Sequence, residues 1–200
     1  LLLWLAVLVF AIQASSVILD FQFSSVLKQR YEAGEMASFL GMYYAVANTL
    51  SFLAAVMLGR QLSQTYGVGI ASSAGALVLV IGSAVAVVMD ASGGMALAGA
   101  AIIGTSFAER IVGFAISKHA LNAATTPLDA HMAERARFLI DGVVHRFATV
   151  GVSICFLLVG SKLEAFSTFS PVVLVVSLVA VAAGIRLGGV YRDALLEALR

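Results

Sequence analysis

Charge is scarce in this chain. Only 12% of its 200 residues are Asp, Glu, Lys or Arg, against roughly 25% in an ordinary soluble domain. A chain so poor in charge cannot clothe a soluble surface, which argues against a soluble enzyme or a disordered segment. Neither sign dominates: 12 Lys plus Arg face 11 Asp plus Glu, a formal +1, so the basic footprint of a nucleic-acid binder is missing. With one cysteine, Cys155, there is no internal disulfide, thiolate cluster or Cys-x-x-Cys redox pair. Prolines are almost as rare, with only Pro127 and Pro171 to interrupt a helix. What is there in quantity is apolar: 61% of residues are hydrophobic and the mean hydropathy is +1.02. These values describe an integral membrane protein, and the 18 glycines suit helices in close contact.

A crossing helix needs roughly 20 mostly apolar residues, and the sequence predicts six, over 1–28, 36–58, 68–89, 94–116, 137–160 and 171–185. Val-rich runs such as Ala76 to Met89 are apolar on every face and too long for one strand of a barrel. Continuous helices also satisfy their own backbone hydrogen bonds in a bilayer. Residues 1–190 thus read as one six-helix transmembrane domain, and 191–200 as the start of a cytoplasmic exit helix or linker. The opening Leu1-Leu2-Leu3-Trp4 carries no basic flank. It is expected to lie inside or just before a first crossing, in an excerpt of a longer protein.

Orientation follows from the basic residues flanking the crossings. Eight, namely Arg60, Lys118, Arg135, Arg137, Arg146, Arg186, Arg192 and Arg200, fall on one side, and three, Lys28, Arg30 and Lys162, on the other. The positive-inside rule places both ends of the segment in the cytoplasm. Short connections join the second to the third and the third to the fourth helix. A long one, Lys118 to Arg137, separates helices four and five. Two triplets of helices around a long cytoplasmic loop resemble the nested three-plus-three halves of secondary transporters.

Three polar clusters inside the crossings are candidates for a solute path. The first is Gln13, Asp20 and Gln22 on helix one, where Gln13 and Asp20 are seven residues apart and roughly aligned. In the second, on helix two, Tyr44, Asn48 and Ser51 follow at offsets of four and three and form one stripe beside Tyr43. The third is Glu109-Arg110, the only adjacent acid–base pair inside a crossing. Intramembrane ionisable groups are costly unless paired or hydrated, and Arg110 has the fork that grips a carboxylate or phosphate. Interhelical hydrogen bonding, an outer-surface anchor and snorkelling of Arg110 are the competing roles. His119, His131 and His145 are scattered and lack a third ligand at credible spacing, so neither a metal nor a cofactor is expected. Ser15, Ser16 and Cys155 have no recognisable base partner, and no enzyme activity is expected.

The segment Gly59-Arg60-Gln61-Leu62-Ser63-Gln64-Thr65-Tyr66-Gly67 is similar to the loop between helices two and three of major facilitator superfamily transporters. The resemblance implies a cytoplasmic gating role for Gly59, Arg60 and Gly67. Three further stretches resemble the C-terminal half of bacterial proteins related to the ATP/ADP nucleotide translocases. They are Leu19-Asp20-Phe21-Gln22-Phe23, Phe39-Leu40-Gly41-Met42-Tyr43-Tyr44 with Asn48, and Glu134 through Ile140-Asp141-Gly142-Val143-Val144. The resemblance implies an all-α membrane protein, a six-helix bundle forming one three-plus-three half of a major-facilitator-type fold in the bacterial inner membrane. It implies alternating-access transport of a small polar or anionic solute, a nucleotide being one candidate. Gln13, Asp20, Gln22, Tyr44, Asn48, Glu109 and Arg110 would bind or gate. The expected partners are membrane lipids, an N-terminal six-helix half and a cytoplasmic C-terminal domain, with no nucleic acid. The alternative is a transport-inactive membrane anchor or sensor that carries cytoplasmic regulatory domains.

Overall fold

A computed structural model describes residues 1–126, 128, 130–159 and 169–198, without the side chains of residues 58–64, 130, 159 and 198. Pro127, Gly160, Lys162 and Arg200, which served above as helix ends or flanking charges, lie outside the described residues, as do the side chains of Gly59 and Arg60.

All regular structure among the described residues is helical. Helix α1 spans Leu2–Arg30 and ends where Tyr31 turns extended (φ −128°, ψ 142°). Helix α2, Ala33–Ser72, follows at once because Glu32 and Glu35 form a reciprocal capping box that satisfies backbone donors of its first turn. Then come α3 (Ala74–Ala91), α4 (Met95–Val112), α5 (Lys118–Ala124), α6 (Ala130–Arg137), α7 (His145–Val159) and α8 (Ser170–Ala198). Two π-helical segments, Gly113–Ser117 and Phe138–Val144, carry α4 into α5 and α6 into α7. Six helical stretches are therefore long and apolar enough to cross a membrane: Leu2–Arg30, Ala33–Met57, Ala74–Ala91, Met95–Ala124, His131–Leu158 and Ser170–Glu197. Pro171 sits in the first turn of α8, where its missing N–H costs nothing.

The connection between the second and third crossings differs from the nine-residue turn that the sequence suggested. The backbone stays helical through Gly59 and Arg60, and the break falls at Gly67 alone (φ 79°, ψ 161°). That left-handed geometry is open to glycine and strained for other residues. Of the residues between, Arg60, Gln61, Leu62 and Gln64 are good helix formers. The last helix runs to Ala198 rather than ending near residue 185. Arg186 and Arg192 interrupt the apolar run without interrupting the helix.

Helix α1 lies at the centre, along α8, α7 and α4, while α3 lies along α4 and α8, and α2 leans on α4 and α5. Two apolar layers fill the bundle. One, with Leu5, Leu8 and Val9, joins the first turns of α1 to Ala124, Ile140 and Leu187. The other joins Ile18, Phe23 and Leu27 to Tyr43, Leu79 and Ile102. Between the two layers, at mid-span, α1 carries Gln13, Ser15 and Ser16.

A close backbone approach brings Gly69 against Gly184 and Gly188 of α8. A Cβ on Gly69 would lie 2.5 Å from the Gly188 Cα and 2.6 Å from the Gly184 carbonyl oxygen. Both obstacles are backbone and cannot rotate away. Gly69→Ala is therefore expected to destabilise the purified protein by roughly 1–3 kcal/mol, the usual cost of overpacking. Gly104→Ala, where nothing lies within 4 Å of the new carbon, should be close to neutral. Thermal unfolding of the two variants in detergent checks this, and equal midpoints would remove the crossing as a packing constraint.

Candidate functional site

The site is built on the polar stripe of α1. Within four residues this helix makes side-chain hydrogen bonds to three others. The Gln13 amide donates to Thr149 Oγ1 of α7 at 3.1 Å, and the Ser16 hydroxyl donates to Glu109 Oε1 of α4 at 2.9 Å. On the buried side, Ser177 of α8 donates to Ser15 Oγ at 3.1 Å. One turn further, the Arg110 guanidinium of α4 donates to Asp20 Oδ1 at 3.0 Å. Gln13, Ser16 and Asp20 follow at offsets of three and four, so a single face of α1 meets Thr149, Glu109 and Arg110.

Glu109 and Arg110, neighbours in sequence, do not pair with each other. Successive helical residues diverge by about 100°, and the two side chains separate accordingly, Glu109 to Ser16 and Arg110 to Asp20. The guanidinium also lies over the Tyr44 ring, 5.0 Å from its centroid, in cation–π contact. Its Nε is buried and has no hydrogen-bond partner among the described residues.

Of the other residues singled out from sequence, Gln22 is fully buried and donates to Ser170 at the start of α8 at 2.9 Å. Two positions on from Asp20, it points to the far side of α1. Asn48 is exposed on α2. Ser51, from the same stripe, is buried, and its hydroxyl donates to the Arg110 carbonyl at 3.5 Å. Tyr43 is buried and donates to Ser106 at 3.0 Å. Among the aromatic side chains near Asp20, Phe21 stacks on Phe156, with centroids 4.3 Å apart.

A cavity of about 290 Å³ opens beside the stripe, between α1, the α4–α5 π segment and the α6–α7 π segment. Gln13, Ser16 and Glu109 line one end of it. Lys118, Arg137, Asp141 and His145 complete its polar lining together with Ser117, Asn122 and Thr125. Sequence reasoning had left Lys118 and Arg137 as flanking charges and His145 as a scattered histidine without ligand partners. The first π segment leads directly into Lys118 and the second into His145, and each adds a residue to a turn and re-aims the side chain that follows, while Arg137 closes α6 just before the second. Gly113 and Gly142, one in each segment, were the available signal, and a weak one. Arg137 is held in place by its Nε–H donating to Thr125 Oγ1 at 3.3 Å.

Fold and site together define a multi-helix, all-α membrane protein with a polar belt halfway along its central helix. Searches against protein-family models, curated proteins and solved structures found no match to the chain.

The Asp20–Arg110 pair ties α1 to α4. Asp20→Asn and Arg110→Gln are each expected to lower thermal stability, and the double variant should lose less than their sum. A coupling of about 0.5–3 kcal/mol is usual within one network. The lower end is expected here because the side chains remain 34% (Arg110) and 56% (Asp20) exposed. Additive losses in the cycle would show that the two charges act independently.

Proposed function

We propose that this chain is one half of a secondary active transporter of the major facilitator type, moving a small polar or charged solute by alternating access. The carrying observation is a polar face left uncovered inside the crossing helices. Asp20, Arg110 and Tyr44 form a connected group on α1, α4 and α2, yet the Asp20 side chain is 56% exposed and Asn48 is exposed close by on α2. Lipid tails offer such groups no hydrogen bonds, so intramembrane polar side chains face protein or a water-filled cavity. A second six-helix half, enclosing a solute path against this face, would satisfy them.

The helix neighbourhoods support the same reading. Exchange the first three crossings for the last three, and the pairs α3–α4 and α1–α8 trade places. So do α1–α7 and α2 with the α4–α5 unit, while α3–α8 and α1–α4 map onto themselves. A three-plus-three repeat has this pattern, to which the α2–α8 packing, without an α3–α7 counterpart, is the exception. The second and fifth crossings correspond under the exchange and are the least covered, with 17% and 11% of their apolar windows buried against 44% for the first. They are the surfaces a second half would use. The stretch from Glu134 to Val144, which carries part of the resemblance to nucleotide-translocase relatives, contributes Arg137, Ile140 and Asp141 to the cavity wall.

The full-length protein, with both six-helix halves, reconstituted in liposomes is expected to give saturable uptake or exchange of at least one member of a panel of nucleotides, organic anions and peptides. Asp20→Asn should slow that flux about tenfold or more. Flux at the level of empty liposomes for the whole panel would return the chain to the anchor reading. Topology has its own check, in a Cys155→Ser background. With both ends cytoplasmic, Gly34→Cys at the exposed start of α2 should react with an impermeant thiol reagent in intact cells. Thr126→Cys, exposed after α5, should react only once the membrane is permeabilised. The reverse pattern inverts the orientation.

A further inference from the structure

The charges around the cavity are graded along its length, and the gradient specifies a ligand. Glu109 lies at the inner end with Gln13 and Ser16, midway along α1. Among the described residues, its one hydrogen-bond partner is the neutral Ser16 hydroxyl. The adjacent cation, Arg110, is engaged elsewhere by Asp20 and Tyr44. The opposite end carries Lys118 and Arg137, with Asp141 four residues after Arg137 in the π segment that follows α6. Two cations less one carboxylate leave one positive charge at that end, against one carboxylate at Glu109.

We infer that the cavity binds a small zwitterion, its ammonium on Glu109 and its carboxylate between Lys118 and Arg137. This deepens the transporter reading and rests on it. A carboxylate in a crossing helix with only a hydroxyl for company is costly, and an ammonium from the solute offsets that cost. An anion with several charges finds only one net positive charge at the mouth and a carboxylate at the far end, so a nucleotide is a poor fit to this wall. Separation matters as well. Nine residues part Glu109 from Lys118, roughly 13 Å along the axis at 1.5 Å per residue. The flexible lysine stem shortens that span, but a solute with both charges on one carbon still reaches only one end. A solute with its charges several bonds apart, such as a short peptide or a long ω-amino acid, reaches both.

The experiment is calorimetric titration of the purified, detergent-solubilised protein. The ligands are glycine, 4-aminobutyrate, 6-aminohexanoate, dialanine, N-acetyl-dialanine, dialanine methyl ester, ADP and ATP. Affinity should rise about tenfold or more from glycine to the longer zwitterions, and fall by a similar factor on acetylation or esterification, as losing one partner of a desolvated charge pair does. Glu109→Gln, which keeps an acceptor for Ser16, should erase the preference for a free amine and leave that for a free carboxylate. Lys118→Met should do the opposite. If either variant fails to fold, the ligand series on the unaltered protein decides alone. The inference is overturned if no zwitterion binds, if capped and free ligands bind alike, or if ADP or ATP binds more tightly than every zwitterion. Zwitterion binding without flux in liposomes would sink the transporter reading and leave this site standing. Nucleotide exchange without zwitterion binding would do the reverse.

Discussion

A polar side chain inside a bilayer has to find its partner within the protein, and α1 meets that demand with three helices at once. Gln13, Ser15 and Ser16 bond to Thr149, Ser177 and Glu109 on α7, α8 and α4. Each such bond is worth about 0.5–2 kcal/mol, a modest sum. The geometric consequence is larger, because any rotation of α1 about its axis disturbs all three bonds together. The apolar layers on either side of the belt can slide among near-equivalent packings, whereas the belt allows one register. The last turn of α2, beyond the break at Gly67, adds a different device, the Gly69 crossing with Gly184 and Gly188, in which the absence of side chains fixes the approach of α8.

The crossings were legible because hydropathy reports on the solvent that a segment requires, and six runs here require lipid. Helix ends were less so, for the same reason. Arg186 marks where the apolar run stops, but a helix continues wherever its residues tolerate helical geometry, and α8 runs on through it. In the second connection a glycine at each end suggested an open turn, yet only Gly67 takes a backbone conformation that demands glycine.

The candidate site divides along similar lines. The alignment of Gln13 with Asp20 could be counted from a helical wheel, and so could the divergence of Gln22, which the structure buries against Ser170. Ser16 could not be singled out, since a helical serine can bond to its own backbone, as Ser25 does to the Phe21 carbonyl. Lys118, Arg137 and His145 read as edge residues for a deeper reason. Straight helices would put them there, and no propensity scale anticipates that two π segments face one another across a cavity.

The separation of Glu109 from Arg110 unites these features. Had the two paired, the bundle would hold a closed ion pair, and the inner end of the cavity would present no free charge. Asp20 prevents this by engaging Arg110 one turn along α1, with Tyr44 beneath the guanidinium. Glu109 is then held by Ser16 at the edge of the cavity. A carboxylate so placed is tolerable only beside water or a bound cation, and the cavity supplies room for either. The spacing of Gln13, Ser16 and Asp20 on α1 thus does two things. It fastens the central helix to its neighbours, and it decides which of two adjacent charges is left facing the cavity.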